Sequence, residues 1–217
     1  MRYIPALFIA ALLAASPIEA QENMPKMMYK STETPSYAVL QRLGAAELRR
    51  YEPRIVAEVT VNGSRSGAIN QGFRLLAGYI FGGNEGAAKV AMTSPVAQMP
   101  AEKIAMTSPV AQTGAQGAGP DGPWVVQFTM PATYSMDSLP KPKNPAIRLV
   151  PQPAARQVAL QFSGLANAGL LAQKETELRA IAADAGIDLL AGPMYYFYDD
   201  PFTLPWNRRN EVAFVVK

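Results

Sequence analysis

Five prolines between Leu139 and Pro153 (LPKPKNPAIRLVPQP) divide this chain of 217 residues toward its C-terminal side. A proline fixes φ and offers no N–H, so neither a long helix nor a central strand can run through that segment. The fold must therefore be assembled from two sets of short elements, about residues 37–138 and 139–217. The second set reads as a short strand Ile147–Val150, an alternating strand Arg156–Phe162, a helix over Ala168–Ala185, and strands Pro193–Tyr198 and Glu211–Val216. In that helix Leu171, Leu178, Ile181 and Ala185 share one face before Gly186. The order is β-β-α-β-β, and the first set repeats it with one added strand.

Tyr37–Leu43, Glu47–Tyr51 and Arg54–Val61 are the opening strands, the third closed by an Asn62-Gly63 turn. Ile69, Phe73, Leu76 and Ile80 then recur at helical spacing up to Gly82-Gly83, which predicts a helix with that face on the core. Asn70, Arg74, Ala77 and Phe81 form a second stripe on the same helix. The octapeptide Ala91–Gln98 (AMTSPVAQ) recurs unchanged as Ala105–Gln112, which reads as a duplicated strand with a turn at Met99–Glu102. Two copies do not make a solenoid. Gly114–Gly122 is expected to be a glycine-rich loop leading to the strand Trp124–Met130.

Composition narrows the chemistry. With 49% hydrophobic and 17% charged residues the chain can bury enough apolar surface to fold. It has no Cys and no His, so disulfides, Cys/His metal sites and triads of the Ser-His-Asp or Cys-His kind are excluded. The formal charge is +3, and the densest basic spots are only the pairs Arg49-Arg50 and Arg208-Arg209. Nucleic-acid binding needs more phosphate contacts gathered on one face, so no nucleic-acid partner is expected.

Residues 1–20 carry Arg2 and then an apolar run from Ile4 to Ala15, too short for the roughly 20 residues of a membrane-spanning helix. They read as a cleavable signal peptide ending at Ala20. Residues 21–36 (QENMPKMMYKSTETPS), polar and holding Pro25 and Pro35, read as a flexible leader. A periplasmic or secreted protein is expected, without stable membrane insertion of the mature chain.

Three blocks resemble the SOUL haem-binding proteins. They are Arg50-Tyr51-Glu52-Pro53 through Gly72–Asn84; Lys103–Val110 (KIAMTSPV) with Trp124–Pro131; and Tyr198-Asp199-Asp200-Pro201-Phe202 with Arg208-Arg209-Asn210-Glu211-Val212. Together they span about residues 37–217, a single domain. The resemblance implies an α+β fold: a distorted eight-stranded antiparallel barrel of two pseudo-symmetric β-β-α-β-β halves flanked by two helices. It also implies a hydrophobic surface cleft beside the first helix that takes haem or another tetrapyrrole, with no catalysis. On that analogy Asn70, Phe73, Arg74, Ala77 and Phe81 line the cleft, Ala77 admits the flat macrocycle and Arg74 faces a propionate. Phe73 also belongs to the predicted core face. A chain without His cannot supply the axial histidine assigned in some members, so haem is expected to be weakly coordinated or uncoordinated. Met92 and Met106 read as core filler rather than ligands. The alternative is a small-molecule-binding or hydrolytic enzyme in the same cleft, with Glu211 and Tyr195 or Tyr198 as an acid–base pair. Within Arg208–Glu211 a structural role is expected, Asn210 in a tight turn and Glu211 accepting from an arginine.

The export reading has a direct test. The intact mass of the protein from the envelope fraction should correspond to a chain starting at Gln21, and a soluble cytoplasmic product that keeps Met1 would contradict it.

Overall fold

The structure is a computed structural model and describes residues 27–85, 103–119 and 122–217. The expected signal peptide, the first AMTSPVAQ copy and the Met99–Glu102 turn lie outside those residues. In chain order the elements are β1 (Met27–Tyr29), β2 (Thr32–Thr34), β3 (Tyr37–Leu43), β4 (Ala46–Tyr51), β5 (Arg54–Val61), α1 (Arg65–Ile80), β6 (Asn84–Glu85), β7 (Val110–Gly119), β8 (Gly122–Thr129), β9 (Lys141–Pro142), β10 (Arg148–Gln152), β11 (Ala155–Phe162), α2 (Ala168–Asp184), β12 (Leu189–Phe197) and β13 (Asn210–Val216). A 3₁₀ turn covers Pro205–Asn207.

Nine strands form one antiparallel sheet in the order β10-β5-β8-β7-β12-β13-β11-β4-β3. Outward from the β7–β12 pair the two sides run β8-β5-β10 and β13-β11-β4, so the leading strand of each half lies at the far side of the other half. The end strands β10 and β3 do not pair with each other. Among the described residues the sheet does not close on itself, and the fold is α+β as expected, a mostly antiparallel sheet with two helices. Both ends are unsuited to further pairing: β10 runs into Pro151 and Pro153, while β3 bulges between Val39 and Gln41 and exposes Gln41 and Arg42.

Register decides which face is apolar. Val59 pairs with Val126, Gln112 with Val126 and Tyr195, Val212 with Tyr195 and Leu160, and Ala46 with Leu160. Opposed residues point the same way, so α1 on β5 and β8 and α2 on β11 and β13 cover one common face. Each helix begins with a side-chain cap: Ser64 Oγ accepts from Gly67 N at 3.3 Å, and Asn167 Oδ1 from Leu170 N at 2.9 Å. The proline-rich connector is pinned to the end of α1, because Tyr79 Oη donates to the Pro140 carbonyl at 2.8 Å and β9 pairs with β6.

Three further expectations change. The buried face of α1 is Ala68, Gly72, Leu76, Tyr79 and Ile80, rotated by roughly 60° from the predicted stripe at 100° per residue. Phe73 is accordingly 37% exposed at the rim, with its ring edge-on to Phe128 at 5.4 Å. The rotation follows from small side chains: a Cβ on Gly72 would lie 2.6 Å from Val126 Cβ, so only glycine lets the helix settle on β8. Residues 27–34, within the segment expected as a flexible leader, form the paired strands β1 and β2. Of the Gly114–Gly122 stretch expected as a loop, residues 114–119 belong to β7 and Gly122 begins β8, with a register shift between Gly114 and Gly119 and Gly122 at φ +92°.

Two glycine substitutions on α1 should act in opposite directions. Gly72→Ala should destabilise, because overpacking at about 1–3 kcal/mol exceeds the helix-propensity gain of about 1 kcal/mol. At Gly78 an added Cβ meets nothing within 4 Å, so Gly78→Ala should stabilise by about 0.5–1 kcal/mol. Urea denaturation of the two variants checks both signs.

Candidate functional site

Of the two faces of the sheet, the one without helices carries the polar chemistry. Glu211 on β13 is fully buried, and both its oxygens are taken. Arg49 Nη1 donates to Oε2 at 2.8 Å and Nη2 to Oε1 at 3.3 Å, Arg209 Nη2 and Nε donate to Oε1 at 2.6 and 3.1 Å, and Tyr198 Oη donates to Oε2 at 3.1 Å. Arg49 is itself buried and also donates through Nε to Glu47 at 2.9 Å. Burial opposes its charge, but Glu211 outweighs that and the guanidinium pKa is raised. Two arginines thus balance two glutamates, the condition under which buried charge is tolerated.

Aromatic rings enclose this cluster. Arg49 stacks on Tyr37 at 4.4 Å and Arg209 on Tyr198 at 4.1 Å. Tyr29 from β1 meets Tyr198 edge-on at 5.3 Å and donates to Asp199 Oδ2 at 3.0 Å; Lys30 pairs with the same carboxylate. Burial, then the Glu211 charge, pushes the Tyr198 phenol well above its ordinary pKa.

This geometry argues against an acid–base role for Glu211 and its tyrosines. Tyr198 does reach Glu211, but only as one donor among five on a carboxylate with no oxygen left for a substrate proton. Tyr195 lies on the other face and donates to Glu175 of α2 at 3.2 Å; burial, then Glu175, raises its pKa to about 12. The expected pair with Tyr195 is not brought together. Glu211 does accept from Arg209 as expected, whereas Asn210 belongs to β13 and donates to the Gly164 carbonyl at 3.0 Å. No group of three or more carboxylates that could hold a metal occurs among the described residues.

Asn70, Arg74 and Phe81 are exposed, Ala77 is half-buried and Phe73 sits at the rim. Asn70, Arg74, Ala77 and Phe81 lie on the side of α1 turned away from its buried face, and Phe73 borders it. Phe81, at 60% exposure, and Phe73 give that side an apolar character, and an added Cβ at the neighbouring Gly78 would meet open space. The small Ala77 lies between Phe73 and Phe81 along the helix, with Arg74 beside it.

A cavity of about 740 Å³ lies elsewhere, at the ends of β5, β8 and β10, lined by Glu33, Pro35, Arg54, Tyr134 and Pro151 among others and by no residue of α1. A second cavity, of about 10 Å³, shares Pro35, Arg54 and Thr129 with it and is lined also by Tyr51, Tyr196 and Tyr198. Arg54 Nη1, buried there, has no hydrogen-bond partner among the described residues. Sequence reading missed Arg49 and Arg54. The alternation of Glu47, Arg49 and Tyr51 on a strand whose Ala46 and Leu48 face the core was the signal available for a charged inner row.

Glu211→Gln should destabilise the fold by about 3–5 kcal/mol, since it leaves Arg209 without its anionic partner and Arg49 with Glu47 alone in a buried site. A urea titration that places the variant within 1 kcal/mol of the parent, on the order of a surface pair, would show that the cluster is not structural.

Solved structures share the fold at low identity. The EcmrR C-terminal domain superposes with a TM-score of 0.56 at 16% identity, covering 79% of this chain and 96% of that one. A conserved protein from Listeria innocua gives 0.55 at 12% identity, covering 79% and 92%, and a hydrolase from Listeria innocua gives 0.51 at 10%, covering 79% and 91%. These likenesses show the fold alone. No curated protein matches the chain. The family model described as SOUL heme-binding protein matches residues 32–215, and with most of its length so matched, the chain belongs to the SOUL heme-binding protein family.

Proposed function

We propose that this chain is a non-enzymatic binder of haem or a related tetrapyrrole, which it holds against the outward side of α1. The observation that carries the reading is the pair of exposed aromatic residues, Phe73 and Phe81, flanking the small Ala77 and Gly78 beside Arg74. A flat macrocycle needs a low apolar surface, and its propionates are matched by a guanidinium fork. Family membership supports the ligand class. The saturated hydrogen bonding of Glu211 supports binding over turnover.

With neither His nor Cys in the chain, affinity rests on apolar burial at roughly 25 cal/mol per Å², with axial coordination weak or absent. Met106, expected as core filler, is instead 39% exposed, and no described contact aims its thioether at α1. The apolar run Ile4–Ala15 supports an exported protein, periplasmic or secreted after processing near Ala20. The matched strand orders on either side of the β7–β12 pair support reading the sheet as a distorted eight-stranded barrel of two related halves, with β3 added.

Hemin titration followed at the Soret band tests the site. Arg74→Ala should weaken binding only several-fold, because a partly exposed charge-assisted contact contributes on the order of 1 kcal/mol and fixing the arginine costs entropy. Arg74→Glu should weaken it further by placing like charge beside a propionate. Ala77→Trp should weaken it most, by bulk. If folded Arg74→Glu and Ala77→Trp proteins both bind hemin like the parent, α1 is not the site.

A further inference from the structure

We propose that the loop joining β12 to β13 is a peripheral membrane contact whose apolar tip enters the interfacial layer of a lipid bilayer. Phe202 is 94% exposed, Trp206 68% and Leu204 52%. Leu165, 55% exposed, is brought alongside by the Gly164 N–H, which donates to the Pro205 carbonyl at 2.9 Å. Three large exposed apolar side chains thus lie within five residues of one loop, with Leu165 brought near by that bond, where an ordinary surface scatters them singly.

The loop is rigid. Asp200 Oδ1 accepts from the N–H groups of Phe202 and Thr203 at 2.7 and 3.0 Å. Arg208 clamps the other side, donating to the Thr203 and Pro201 carbonyls at 2.7 and 2.6 Å. The Asn207 and Arg208 N–H groups bond to Leu204 and Pro205 carbonyls, while Pro201 and Pro205 have no N–H to satisfy. A segment entering a poorly hydrated layer must hydrogen-bond its backbone internally, and this loop largely does so while turning its apolar side chains outward. Trp and Phe favour the headgroup boundary.

A lipid surface suits this tip better than a protein partner. Four side chains on a short loop fall short of the roughly 800 Å² per partner of a standard protein interface. The surrounding charges nearly cancel, Asp199 and Asp200 against Arg208 and Arg209, and Asp199 also pairs with Lys30. Attraction to anionic lipid is therefore not the driving force, and contact should be reversible and salt-insensitive. No described helix is long and apolar enough to cross a membrane, so any contact through this loop is peripheral.

Co-sedimentation of the full chain with phosphatidylcholine vesicles, read beside Trp206 quenching by brominated acyl chains, tests the proposal. The parent should sediment with the vesicles equally at low and high salt, with Trp206 quenched. The double variant Phe202→Ala/Trp206→Ala should lose about tenfold in partitioning while still titrating with hemin like the parent, which separates this loop from the α1 site. The proposal is overturned by absence of sedimentation, by equal sedimentation of the double variant, by binding confined to anionic vesicles and abolished by salt, or by a lipid-free dimer that the double variant dissolves.

Discussion

Glu211 is the point to which the polar half of this protein is tied. A fully buried carboxylate costs several kcal/mol of lost hydration unless its charge and lone pairs are met, and here five donors from Arg49, Arg209 and Tyr198 meet them. That requirement fixes β4 relative to β13 across the intervening β11. It also orients the segment after β12, so that Tyr198 can receive the Tyr29 ring and the adjacent Asp199 can hold Lys30. The β1–β2 hairpin is docked by this same chain of contacts. The carboxylate is consumed in holding the fold, and its chemistry is not left over for a reaction.

One face of the sheet is committed to that network and the other to the two helices, so the ligand surface proposed here lies on the outside of an element. The outward side of α1 is free for it because Ala68 and Gly72 let the helix bury its opposite side against β8, so that Phe81 stays out of the core. The cavity by Arg54 is separate from α1 and lies where the strand ends diverge. The rigid β12–β13 loop is separate again, its exposed Trp206 and Phe202 carried on backbone bonds that Asp200 and Arg208 close. The binding surface proposed on α1 and the membrane contact proposed at Phe202 and Trp206 of the β12–β13 loop thus fall on different elements, and neither shares a residue with the buried cluster.

Much of the fold was legible from punctuation and period. Tyr37–Leu43 and Arg54–Val61 appear with the expected bounds, and α2 ends one residue before the expected Ala185. Misreadings came where small or polar residues did structural work. Gly72, Ala68 and Tyr79 do not score as an apolar face, yet they make the face of α1 that packs, with the Tyr79 hydroxyl satisfied by Pro140. The glycines of 114–122 suggested a loop, but a hairpin tolerates glycine at a bulge and at a positive-φ turn. Residues 27–34 carry no strong apolar alternation, and their order rests on Tyr29 and Lys30 reaching Asp199, about 170 residues away. The Arg49–Glu211 pair, 162 residues apart in sequence, has no local signature at all. Of the binding stripe, the exposed positions Asn70, Arg74 and Phe81 follow from helical spacing alone, whereas placing Phe73 at the rim required the structure.

The central claim is that haem lies on the outward stripe of α1, held by contact rather than by a strong axial ligand. Ferric iron broadens the amide resonances of nearby residues, so two-dimensional NMR of the isotope-labelled protein with substoichiometric hemin locates it directly. The account predicts loss of signal centred on Asn70, Arg74, Ala77 and Phe81, with Arg49, Glu211 and the strands around them unaffected. Broadening centred instead on Arg54, Thr129 and Tyr134 would put the macrocycle in the cavity at the ends of β5, β8 and β10 and contradict the account.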